Sequence, residues 1–421
     1  MKIMLASPQG DGPWFALRML RDGHDVSWTT PTKYQNSLAG LLPPPVDSIT
    51  SPESYDLIVF DCAHSGAAAD RMKESTPVIG SSAFAEKLEE DRRFGIEFME
   101  KAGIPVPPWE PFNSVDKAIS WLEETKKRCV FKPTGDIEDK TTTYVSKSSD
   151  DMIKYLEILT KRAPIKEFIL QEFVEGTEVS TEGWFNGEKF YAFNHTLEEK
   201  KFMAGGIGPN TGCAGNLVWM PTRPNPLFER GLRRAEECLR GTGFVGPVDL
   251  NTIVTDGEIF GLEWTPRFGY EGTCNFICLL PCDWAEFMHT IATGGEPQIA
   301  ASTWPFAATV RVTVPPYPSK SNPAKNGGIP VHGIDLDKLN QFYISDVRIK
   351  EGTEDELEVN GADCVIGAPV GCSESIHGAF QECQEAIDNL RVPDLQYRND
   401  LEQCITKRYE LLRKHGWLRS I

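Results

Sequence analysis

The chain has 421 residues, 40% of them hydrophobic and 25% charged, with a formal net charge of −18 at pH 7. That length exceeds one compact core and predicts two or three domains of globular type. The acidic balance excludes a general nucleic-acid or anionic-membrane partner, which would need a basic surface, yet it permits a local basic pocket for a small phosphate compound.

The opening MKIMLASPQG has only a short apolar run and no processing site, so it reads as a first strand and not as a signal peptide. No apolar run nears the ~20 residues that span a bilayer. A soluble, cytoplasmic protein is expected. Residues 1–80 then alternate in type: KIMLAS, HDVSWTT, YDLIVFDC and TPVIG are predicted strands, and PWFALRMLRDG is a helix. This is the βαβ pattern of an open parallel sheet. The loop SPQGDGP, with Gly10, Asp11 and Gly12, leads into that helix, and Pro13 suits its first position. Such a helix start can hold a phosphate on backbone N–H groups, or it can be a plain tight turn. It does not match GxGxxG.

One helix is predicted from about Ala83 to Ala102, closed by Gly103. Residues 111–172 read as a small α/β unit with strands RCVFKP, TTTYVS and FILQEF. The stretch to about residue 305 is richer in strands and glycine, and VPPYPSKSNPAKNGGIP is a loop. The last segment ends in helices, ECQEAIDNL and DLEQCITKRYELLRKHG. The eleven cysteines are scattered without a CxxC pair, as expected of reduced thiols. Cys274, Cys278 and Cys282 could line one helix face, but Pro281 interrupts it. They read as small apolar core residues. His195 reads as structural or as part of an acceptor region.

The segment GPVDLNTIVTDGEIFGLEWTPRFG reads as a hairpin. With TDG as a three-residue loop and Gly257 left-handed, Val254 pairs with Glu258, and Asp249 falls directly opposite Glu263 on one face. Glu263, Thr265 and Arg267 alternate along that face. Opposed carboxylates repel, so a cation between them is favoured. Their hard oxygens suit magnesium together with nucleotide phosphates. Arg267 can meet a phosphate or carboxylate with its planar fork. The alternative is a solvated charged face. Upstream, FKP ends an apolar strand with Lys132, and the next loop carries Gly135 and Lys140. In FILQEFVEGTEVS the backbone of Glu172 to Val174 can read an adenine edge, and Glu178 can accept ribose hydroxyls.

These residues resemble the ATP-grasp ligases, and among them glycinamide ribonucleotide synthetase (phosphoribosylamine–glycine ligase). KPTGDIEDKTT, QEFVEGTEVS, GPNTGCAG, LEWTPRFGYEG and YRNDLE align in order with that family's motifs, from about residue 80 to 410. The resemblance implies an α/β and α+β multidomain chain with an ATP-grasp fold. A parallel α/β domain would span 1–107, the small lobe 108–172, the large lobe 173–305 and an α/β domain 306–421. It implies ATP at Arg92, Lys132, Gly135, Lys140, Gln171, Glu172, Val174 and Glu178. Mg2+ or Mn2+ would sit at Asp249, Glu263 and Thr265. Lys132, Lys140 and Arg267 would act on the transferred phosphate. Substrates would meet Lys200, Gly208, Pro209, Asn210, Thr211, Gly212 and the Gly10–Asp11–Gly12 loop.

The implied reaction joins a small-molecule carboxylate, glycine by resemblance, to an amine through an acyl phosphate, in a monomer or weak homodimer. The chain departs from the pattern in four places. Thr265 stands where the family has Asn, and Asp249 where it has a small residue. Glu138 and Asp139 enter the lysine loop. SPQGDGPWFAL replaces GGREHAL and lacks its Arg, Glu and His. The amine therefore stays open, and three readings follow: the family's own ligase, a ligase with a different amine, or a nucleotide-binding protein without catalysis.

Overall fold

The computed structural model describes residues 1–134, 143–160, 167–339 and 341–419. Gly135, Lys140 and their acidic neighbours Glu138 and Asp139 lie outside the described residues. The N-terminal segment comprises β1 (Lys2–Ala6), α1 (Pro13–Arg21), β2 (Asp25–Thr29), β3 (Leu57–Phe60), α2 (Gly66–Met72) and β4 (Val78–Ile79). Its four strands run parallel in the order β2-β1-β3-β4. Ile3, Met4, Leu5, Ile58 and Val59 are fully buried, as continuous apolar runs in a parallel sheet should be.

The single helix expected after this sheet is two: α3 (Ala83–Glu90) and α4 (Arg92–Lys101). Asp91 breaks it. Its backbone is extended, and its carboxylate accepts the Phe94 N–H at 3.0 Å, so it caps the second helix.

A second sheet is antiparallel. Its strands are β5 (Trp109–Phe112), β6 (Cys129–Thr134), β7 (Tyr144–Val145) and β8 (Glu167–Glu172), in the order β5-β8-β6-β7. The helices α5 (Val115–Thr125) and α6 (Ser149–Thr160) close its own core of Leu122, Phe131, Leu156 and Phe168.

The largest sheet begins with β9 (Thr177–Phe185), β10 (Phe190–Met203) and β11 (Ile207–Trp219). After the short helices α7 (Pro226–Arg230) and α8 (Glu236–Leu239) come β12 (Gly246–Val254) and β13 (Ile259–Thr265). Two further helices, α9 (Gly272–Leu279) and α10 (Trp284–Ala292), precede β14 (Phe306–Val310) and β15 (Val312–Thr313). A small excursion, α11 (Pro323–Asn326) and β16 (Pro330–Val331) to β19 (Leu357–Val359), leads to β20 (Val365–Ser373). The strand order is β13-β12-β9-β10-β11-β14-β20-β15. The helices α12 (Ile376–Asn389) and α13 (Leu401–Lys414) follow. Among the described residues no helix is long and apolar enough to cross a membrane.

The hairpin register differs from expectation. Val254 pairs with Ile259, and Asp249 pairs with Thr265, not Glu263. The turn runs over 255–258, closed by Thr255 N–H to Glu258 O at 2.9 Å, and Gly257 does not adopt a positive φ. A β-bulge at Leu262 then inserts one more residue. The two shifts together move Glu263 opposite Asn251. Because they sum to two residues, Asp249 and Glu263 still share a face. GPNTG, read as a turn or substrate loop, lies within β11, and the turn falls before it, between Met203 and Ile207.

Candidate active site

Three ladders assemble one polar face. On β12, Asp249 and Asn251 pair with Thr265 and Glu263 of β13 on one side and with Glu182 and Ser180 of β9 on the other. On β10, Thr196 pairs with Ser180, which brings Glu198 and Lys200 to the same side. Intervening residues such as Val179, Leu250 and Trp264 turn the other way and are buried in the core. Alternation thus builds an acidic surface floored by apolar packing.

Basic groups converge on it. Lys200 Nζ lies 3.5 Å from Glu178 Oε1 and 3.5 Å from Glu263 Oε1. From α4, Arg92 reaches Glu263 Oε2 at 3.8 Å. Lys132, buried on β6, donates to the Leu262 carbonyl at 3.2 Å, so the small sheet and the bulge meet here. Asn251 donates to Glu178 Oε1 at 2.9 Å. Lys200, followed by Arg92 and Lys132, holds the Glu263 carboxyl down to about 2, although burial opposes this. Burial pushes the Lys132 ammonium down to about 8, with Glu263 working against it. Burial likewise raises Asp249 and Glu198 to about 7 and Glu182 to about 8. A divalent cation fits this donor set. Asp249 and Glu263 offer hard oxygens on one face, and the buried Asn251 Oδ1 has no hydrogen-bond partner among the described residues.

Arg267, just past β13, is held by Glu89 of α3 through Nε at 3.0 and 3.2 Å from the two carboxylate oxygens. Beyond it is the N-terminal loop. Ser7 Oγ donates to Asp61 and accepts the Gly12 N–H at 3.0 Å. A Cβ on Gly12 would lie 2.3 Å from Asp61 Oδ2, and Gly10, at φ +81°, would place one 2.3 Å from the Tyr34 ring. Burial raises both Asp11 and Asp61 to about 7. Two carboxylates at the start of α1 repel an anion, so the geometry supports the tight-turn reading of SPQGDGP.

The other expected residues scatter more. Gln171 hydrogen-bonds the Pro107 carbonyl at 3.4 Å, Glu172 pairs with Lys127, and Val174 lies in the connection between β8 and β9. Thr211 donates to the Lys200 carbonyl at 2.9 Å, and a Cβ on Gly212 would lie 3.9 Å from Arg311. Gly208, Pro209 and Asn210 sit at the exposed end of the hairpin. His195 is structural: it is fully buried between Thr181 and Asn225, and burial lowers it to about 3. Cys274 lies in the apolar core, with Cys278 and Cys282 packed against it. Sequence reasoning missed Asn251, Glu182 and Glu198, all of which the period-two pattern could have found. It also missed Glu89, Glu271 and Arg311, whose partners are remote in sequence.

Residues 90–237 match the family model of the phosphoribosylglycinamide synthetase ATP-grasp (A) domain. The phosphoribosylamine–glycine ligase of Lactococcus lactis is 24% identical over 78% of this chain and 79% of its own. That of Pyrococcus horikoshii is 23% identical over 82% and 79%. Among solved structures, phosphoribosylamine–glycine ligase from Thermotoga maritima superposes with a TM-score of 0.75 at 19% identity, covering 95% of this chain and 100% of that one. The Campylobacter jejuni biotin carboxylase bound to an ATP analogue reaches 0.66 at 15% identity, covering 99% and 97%. The chain has the ATP-grasp fold and resembles phosphoribosylamine–glycine ligase, its residues 90–237 matching the model of that family's A domain.

Proposed function

We propose that the chain is an ATP-dependent carboxylate–amine ligase that forms an amide through an acyl phosphate and releases ADP and phosphate. The observation that supports this most is the polar face itself. Asp249, Asn251 and Glu263 stand side by side under three cationic side chains, Lys132, Lys200 and Arg92. A carboxylate is a poor electrophile, and its phosphorylation makes the leaving group good. The amine lone pair then forms the C–N bond, the C–O bond to phosphate breaks with its electron pair leaving on phosphate, and the nitrogen loses a proton. Little covalent chemistry is asked of the protein, whose part is positioning and charge neutralisation.

Asp249, Glu263 and Asn251 would hold Mg2+ or Mn2+, which supplies charge neutralisation to a triphosphate when bound. Lys132, Lys200 and Arg92 would place donors on the phosphates. Glu178, oriented by Asn251, would accept ribose hydroxyls. Arg267, oriented by Glu89, would face the transferred group. Residues 108–172, the small lobe, would exclude water from the acyl phosphate, which otherwise hydrolyses. The substrates would be small molecules, with glycine the first carboxylate to try, and the protein a cytoplasmic monomer or weak homodimer. Asp11 in the N-terminal loop, with Asp61 packed against that loop from the end of β3, favours an amine other than the family's.

ADP release over a panel of carboxylates and amines, with ATP and magnesium, tests the reading. ADP should form only with a cognate pair. Nucleotide binding without turnover across a broad panel would contradict ligase chemistry.

A further inference from the structure

Next to Arg267, whose guanidinium lies 6.0 Å from the Tyr270 ring, is a cavity of about 100 Å³ to which no step above is assigned. Tyr270, Trp14 and Tyr343 give it aromatic walls, and the Trp14 and Tyr343 rings meet edge to face at 4.5 Å. Three carboxylates line it, Asp11, Glu271 and Asp363, against one cation, Arg311. That cation is committed: it ion-pairs with Glu271 and donates to the Tyr317 hydroxyl at 2.7 Å.

Glu271 is the telling residue. It is 7% exposed, and its Oε2 has no hydrogen-bond partner among the described residues. Its backbone sits at φ 55°, ψ −42°, a strained position for a side chain, of the kind that clusters at ligand sites. An unpaired buried carboxylate oxygen calls for a donor. Aromatic faces attract cations, and surplus carboxylates repel phosphate.

Resting on the ligase reading above, we propose that this cavity is the acceptor subsite and takes an unphosphorylated amine bearing a second cationic group, held by Asp11, Glu271 and Asp363 against the aromatic walls. Burial, the main cause, raises both Asp11 and Asp363 to about 7, and a bound cation would relieve that desolvation penalty. Thr211 and Gly212 border Arg311 and Tyr317, so the cavity adjoins the strand expected from the sequence to meet substrate.

The test is calorimetric titration of the full chain with 1,4-diaminobutane and with ribose 5-phosphate. The diamine should bind, and Asp11→Asn and Asp363→Asn should each weaken it at least tenfold while melting stays cooperative. Ser345→Lys, which places a fixed cation on the lining, should abolish diamine binding by charge alone, and it stands in if either asparagine variant fails to fold. Ribose 5-phosphate should give no binding. Binding of ribose 5-phosphate, absence of diamine binding, or diamine affinity unchanged in these variants would overturn the proposal. Glu263→Gln separates the two claims, since it should stop ADP release yet leave diamine binding intact. Diamine binding to a wild-type protein that releases no ADP with any substrate pair would sink the ligase reading alone.

Discussion

Asn251 carries more of the site than its neutral side chain suggests. Its amide orients Glu178, and its Oδ1 stands buried on the strand facing Glu263 without a partner among the described residues. Asn251→Ala should raise KM for ATP and lower kcat/KM on the order of tenfold or more, because Glu178 loses the donor that orients it and the cation loses an oxygen. Initial rates over a range of ATP and magnesium would read this, and wild-type kinetics would contradict it. Asp61 makes a different prediction. Its carboxyl is raised from 3.8 to about 7, chiefly by burial. The unfolded chain therefore ionises first, so a destabilising contribution grows as pH rises from about 4 to about 7 and is full above that. Asp61→Asn removes it. In urea melts the variant should be more stable than wild type at pH 8, on the order of 2 kcal/mol, and equal to it near pH 4. A difference that does not change with pH would contradict the assignment.

At the scale of elements, the sequence made the strands of the first sheet, three of the four in the second (β5 was missed) and the charged face of the hairpin visible, because alternation and apolar runs are local signals. It hid the break at Asp91, since helical spacing continues through a residue that also makes a good cap. It hid the register too. The Thr255 hydroxyl, which accepts the Glu258 N–H at 3.1 Å, widens the turn, and the Leu262 bulge answers to packing from other elements. Gly261, next to the bulge, is one such place: a Cβ there would lie 2.5 Å from Met99 Sδ of α4. Trp264 fastens the same two elements. Its indole donates to the Gly95 carbonyl at 3.0 Å, and its ring meets Phe98 edge to face at 5.7 Å. Arg92 and Glu263 sit on those elements, so this packing sets their approach. Trp264→Ala should destabilise by about 3–5 kcal/mol and also weaken ATP binding. Urea midpoints and KM for ATP would check both, and a lost midpoint with unchanged KM would mean the packing is only structural.

Over the whole molecule, contacts remote in sequence finish the site. On α13, Arg408 donates to Glu199 Oε1 at 2.8 Å and to the Glu178 carbonyl, and Arg398, just ahead of that helix, reaches Glu199 Oε2 at 3.1 Å. These contacts pin the residue before Lys200 and the backbone of Glu178 from the far end of the chain. Arg311–Glu271 and Arg267–Glu89 do the same for the acceptor side. No pattern within one segment announces such pairs, which is why the charged face of the hairpin was more legible than the surroundings of Arg267 and Glu271. Arg408→Ala should lower kcat/KM for ATP about tenfold and stability on the order of 2–3 kcal/mol, as removal of one partner from a partly buried pair does. Steady-state kinetics with a thermal melt would show it, and loss of stability without any kinetic change would contradict a positioning role.

Magnesium-dependent ADP release by Glu263→Gln, measured beside its melting temperature, bears most directly on the ligase site. Turnover should fall at least ~100-fold with the melt still cooperative and near that of wild type. Near wild-type turnover in that variant would contradict the assignment of that site.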